Sequence, residues 1–170
     1  MAFDVDALVR LVHILGGILW LGGGAFMLLM IQPAVAAAGP AGGAVMMKVL
    51  KRGGLGKWFG PVGIVTILAG LWMYVRGDYH ADPFGSTSST ILTLGVLLAL
   101  VAWLEGMFVA MPIEVKMKAL AKSMPADGPP NPEQMAHMQA LIAKNVRAGR
   151  HGVILISLAF LAMAGRFVFT

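Results

Sequence analysis

The chain alternates between long unbroken apolar runs and shorter segments that hold most of its charge. Four runs, residues 8–31, 58–75, 90–111 and 151–169, are apolar on all sides rather than along one stripe, the pattern of a helix surrounded by lipid. Each is long enough for about 30 Å of hydrocarbon, which takes about 20 helical residues. The first run lies near the amino terminus, but it is preceded by Asp4 and Asp6 instead of a basic segment. It also exceeds the roughly 7–15 apolar residues of a signal sequence, so a retained helix is expected.

The polar segments carry patterns of their own. Residues 113–124 continue the third run with Glu, Lys, Met, Ala and Leu, and no breaker intervenes before Pro125. After the turn sequence 125–130, Asn131 suits a helix N-cap, Pro132 the first helical position and Glu133 the positive helix end. Met135, Met138, Ile142 and Val146 recur at three- and four-residue spacing, as do Ile113, Met117, Leu120 and Met124. Two such stripes predict an antiparallel helical hairpin over about 113–149, extending spans three and four. Residues 41–52 form a shorter, basic, amphipathic segment expected at the membrane surface among anionic headgroups. The predicted fold is an all-α integral membrane protein, a four-helix transmembrane bundle forming one domain over 1–170.

Composition supports lipid as the solvent: 58% of residues are hydrophobic and 12% charged, against about 45–50% and about 25% in soluble domains. The net charge of +5 is informative through its placement. Lys48, Lys51, Arg52 and Lys57 follow span one, and Lys116, Lys118, Lys122, Lys144, Arg147 and Arg150 lie between spans three and four, ten of the thirteen Lys and Arg residues. By the bias of basic residues towards the cytoplasm, both termini and the loop 77–89 should lie outside and the basic segments inside, making a multi-pass protein of a bacterial inner membrane. Lipid and topology thus account for the basic residues, and no nucleic-acid partner is expected. The chain has no cysteine, which excludes disulfides and thiolate chemistry. Gly53-Gly-Leu-Gly-Lys lacks phosphate-loop spacing, and no serine hydrolase motif is present.

Glycines crowd spans one and two, with Gly56 and Gly60 four residues apart, predicting that these two helices form the tightest pair. Pro61 is expected in the first turn of span two, where a missing N–H is harmless. Ionisable residues inside a span are costly and become functional candidates. His13 shares a helix face with Gly17, Trp20 and Gly24, a face offering a ring nitrogen, an aromatic wall and two gaps suited to a flat ligand such as haem; the plainer reading is a hydrogen-bonded core histidine. Glu105 is the only acid within a span, and by depth Arg150 and His151 are its expected clamp partners; proton or cation transport is the alternative role. Arg166 sits at the depth of His13 and serves as an interface anchor or a partner for a ligand carboxylate. His80, with Asp78 and Asp82, is a weak metal candidate in an outer loop that otherwise reads as solvated. The thirteen methionines read mainly as packing residues.

The run from Leu11 to Gly23 reads HxxxxxxWxGG through His13, Trp20, Gly22 and Gly23. It resembles the first helix of small bacterial membrane proteins related to the copper resistance D family, and more distantly that of the membrane protoporphyrinogen oxidase family. Residues 66–74 and 161–167 are similar to the second and final helices of such proteins. The resemblance implies a four-helix bundle with b-type haem or copper near His13. Taken with the lack of a recognisable reaction centre, the reading is a non-catalytic accessory or assembly subunit of a larger, bioenergetic membrane complex, with a protein partner or a second copy. The alternative is a haem- or copper-binding redox protein using His13.

Overall fold

The computed structural model describes residues 4–125 and 131–168. Residues 126–130 of the expected turn sequence and the end of the fourth expected span, at residue 169, lie outside the described residues. The helices are α1 (Val5–Phe26), α2 (Gln32–Ala37), α3 (Gly39–Lys51), α4 (Gly56–Arg76), α5 (Thr87–Glu105), α6 (Met111–Ser123) and α7 (Pro132–Gly165). Four continuous helical stretches are long and apolar enough to cross a membrane: Val5–Ala37, Gly56–Arg76, Thr87–Ser123 and Pro132–Gly165. Only 6–17% of the residues in their apolar windows are buried within the protein, so the apolar surface points outward, as lipid requires.

Local chemistry sets the helix starts. The Asp4 carboxylate accepts from the Ala7 N–H at 3.0 Å to open α1. Ser86 and Ser89 form a reciprocal cap on α5, and Asn131 and Gln134 do the same for α7. Two spans change their winding part-way. A π turn at Met27–Ile31 separates α1 from α2, and another at Gly106–Ala110 separates α5 from α6. In each, one N–H reaches back five residues, from Gln32 to the Met27 carbonyl and from Met111 to the Gly106 carbonyl. Both donors immediately precede a proline, Pro33 or Pro112. A proline ring collides with the carbonyl four residues back, here Leu29 and Phe108, and supplies no N–H. The wider turn relieves that collision in the same register in both spans.

Contacts at one end bring the start of α1, the end of α4, the start of α5 and the end of α7 together. Arg76 pairs with Asp6 at 3.4 Å, the Tyr74 and Thr93 hydroxyls are 2.8 Å apart, and Ser88 Oγ donates to the Arg166 carbonyl at 3.3 Å. The spans therefore run alternately up and down. They pack as two close pairs, α1 with α4 and α5 with α7, and the latter is the more extensive. This corrects the expectation that spans one and two form the tightest pair. A Cβ at Gly95 of α5 would lie 3.1 Å from the Ala159 carbonyl and 3.2 Å from the Ala162 Cβ, so small residues on α7 allow a close approach there. Gly56 and Gly60 do not face α1 either; they face Glu114 and Met111. Pro61 also departs from expectation: α4 begins at Gly56, so Pro61 lies beyond the first turn and leaves the Lys57 carbonyl without its helical donor.

Among the described residues, a buried apolar cluster forms where Leu50 of α3 meets Met117 and Ala121 of α6, Met124, and Met138 and Leu141 of α7. Two sequence readings shift here. On α7 the buried face runs through Met138, Leu141 and Ala148, while Met135 and Ile142 are exposed. The apolar face of α3 is partly a protein face, since Leu50 enters this core.

Candidate functional site

Two cavities lie inside the bundle, and Trp20 and Ile156 line both. The smaller, about 80 Å³, contains His13. The imidazole Nδ1 is 2.9 Å from the Thr66 carbonyl of α4. A carbonyl only accepts, so Nδ1 carries a proton and donates it. Nε2 has no hydrogen-bond partner among the described residues. Two glycines make this placement possible. Gly16 lies against Thr66, and a Cβ at Gly70 would fall 2.7 Å from His13 Cε1 and 3.0 Å from Nδ1. Gly70→Ala should therefore displace the imidazole and cost about 1–3 kcal/mol. In detergent unfolding, Gly70→Ala should add less than about 0.5 kcal/mol to a His13→Ala protein; full additivity would contradict the contact.

Gly17 and Trp20 share the His13 cavity as the helix face predicts, whereas Gly24 lines the other one. A porphyrin does not fit the smaller cavity as packed, because about 80 Å³ is less than the roughly 150 Å³ that accommodates benzene. Copper would meet two donors there, the His13 imidazole and the Met163 thioether, both of which line it. Among the described residues, no three His, Asp or Glu side chains gather to hold a metal.

The larger cavity, about 200 Å³, lies towards the other end of the spans and is bordered by both π turns through Met27, Leu28, Gly106 and Met107. Glu105 lines it. His151 Nδ1 approaches Glu105 Oε1 to 3.4 Å, with the His151 side chain 58% and the Glu105 side chain 19% exposed. Of the two expected partners, His151 makes this contact, and Arg150 is exposed and makes no ion pair among the described residues.

Glu114 is the residue that sequence reasoning passed over. Its Oε2 accepts from the Gly56 N–H at 2.9 Å, capping the first residue of α4, and its Oε1 lies 2.7 Å from Lys118 Nζ. The signal was indirect. The sequence before α4, Gly53-Gly-Leu, offers no side chain that can cap it, so the cap had to come from elsewhere.

Arg166 lies over the Tyr79 ring, its guanidinium carbon 5.0 Å from the centroid, and is not among the residues lining the His13 cavity. His80 is exposed in the turn after Asp78, whose φ of 54° is left-handed. In comparisons with known protein families, characterised proteins and solved structures, the chain has no significant match.

Proposed function

We propose that this chain is a non-catalytic integral protein of the bacterial inner membrane, an accessory or assembly subunit of a larger membrane complex. The supporting observation is how the intramembrane polar groups are used. His13 bonds the α4 backbone, Tyr74 bonds Thr93 across α4 and α5, and Glu105 meets His151 across α5 and α7. These are ties between helices, and none couples a nucleophile to a base. Purification in mild detergent should recover a stable assembly larger than one chain. A monomer without a partner would sink this reading.

In this reading both termini lie outside and the arms over about 113–149 in the cytoplasm, an orientation that the placement of the basic residues favours. The chain has no cysteine, so single introduced thiols report topology directly. A membrane-impermeant maleimide should label Ala81→Cys in intact cells and Lys122→Cys only after lysis. The reverse pattern would invert the assignment.

The unpartnered Nε2 of His13 favours a second reading, a redox protein that holds copper at a site walled by Trp20. The resemblance of HxxxxxxWxGG to copper resistance D proteins points the same way. A visible spectrum and elemental analysis of the purified protein test it. Bound metal that is lost in His13→Ala supports the reading, and metal-free protein without a haem band ends it.

A further inference from the structure

The larger cavity has a one-sided charge pattern. Two carboxylates, Glu105 and Glu114, and two amides, Gln32 and Asn145, line it beside the rings of Trp20, Phe59 and Trp103. No lysine, arginine or histidine is among the lining residues.

The two carboxylates differ in what they still need. Glu114 accepts the Gly56 N–H, and its other oxygen forms a 2.7 Å ion pair with Lys118, at an angle that makes no hydrogen bond. Its charge is already compensated. Among the described residues Glu105 pairs only with the His151 imidazole at 3.4 Å, largely exposed and charged only when protonated. A half-buried carboxylate with so weak a partner can take up a further cation.

Trp20, Phe59 and Trp103 supply the aromatic side of the same cavity. Aromatic rings, indole best of all, attract a cation placed over them.

We propose that this cavity binds a small organic monocation, an ammonium group carrying an aromatic or short alkyl body, between Trp20, Trp103 and Glu105. The volume, about 200 Å³, exceeds the roughly 150 Å³ that takes benzene and suits a ring-sized molecule. A neutral ligand leaves Glu105 uncompensated. A zwitterionic lipid headgroup brings a phosphate that no basic side chain here can meet. A bare metal ion lacks a gathered set of His, Asp or Glu ligands among the described residues.

The test uses the full chain in maltoside detergent, with Trp58→Phe and Trp72→Phe leaving Trp20 and Trp103 as the fluorophores. Phenethylammonium should give a saturable fluorescence change and bind at least about tenfold tighter than phenethyl alcohol, which matches it in size. Glu105→Gln should weaken the cation at least about tenfold, while Glu114→Gln stays within about threefold. His151→Gln removes the competing partner and should tighten binding about threefold, which keeps the proposal testable should Glu105→Gln misfold. Equal binding of amine and alcohol, no saturation, unchanged affinity in a folded Glu105→Gln, or weaker binding in His151→Gln would each overturn it.

Discussion

Replacing Gly16 by leucine is expected to force α1 away from α4 and leave little folded protein. Gly16 is buried, and a Cβ there would land on the Thr66 hydroxyl, 3.3 Å from Thr66 Cβ and 3.6 Å from its Cα. Thr66 is itself buried, and its hydroxyl donates to the Val62 carbonyl at 2.7 Å, so it cannot turn aside without breaking that bond. Alanine at position 16 should cost about 1–3 kcal/mol, and leucine more than about 3 kcal/mol. Lipid provides no compensating burial, because the outward faces are already solvated by hydrocarbon. The mechanism has its own signature. In a Thr66→Ala background the hydroxyl is gone, and Gly16→Ala should then cost less than about 1 kcal/mol. Reversible unfolding in mixed detergent measures all four proteins. A cost independent of Thr66 would place the helix contact elsewhere.

Glu114→Ala should be the next most damaging change, at about 2 kcal/mol. It removes the acceptor for the first N–H of α4, the negative charge at that helix end and the partner of Lys118. Glu114→Gln keeps an acceptor but not the charge and should cost about half as much. Glu114→Asp, one methylene short of Gly56, should behave like alanine. Thermal unfolding in detergent ranks the three. Equal stability of Ala and Gln would assign the effect to charge alone. The turn before α4 is built around this carboxylate: Gly54 has φ +68°, and a side chain there would strike both Glu114 and Lys118.

The four spans were legible because apolar runs of membrane length have few alternatives, and Asn131 announced the start of α7. Helix pairing was harder to read. Glycine spacing marks a helix that can be approached closely but not the helix that approaches, so Gly56 and Gly60 were assigned to α1 when they face α6. The stripe on α7 was misphased because Met135 and Ile142 are as apolar as Met138 and Leu141, and only the position of α6 distinguishes them. At the candidate site, the shared face of His13, Gly17 and Trp20 followed from helix periodicity alone. Thr66, Gly70 and Glu114 did not, since each matters through a neighbour more than 50 residues away in sequence.

The paired π turns bear on how this sequence tolerates changes in length. A π bond encloses one more residue than an α bond, so each turn holds the equivalent of one inserted residue without leaving the backbone ladder open. Removing one residue from 106–110 would convert the turn to ordinary α-helix and leave α6 facing nearly the same way relative to α5. Glu114 would then stay at the end of α4, and Met117 and Ala121 on the faces of α3 and α7. A residue added within the regular α6, where no wider turn absorbs it, would rotate those faces away by about 100°. The span thus has a defined place where a deletion in one member of a lineage can be matched by an insertion in another, and alignments of related chains should concentrate their single-residue gaps there.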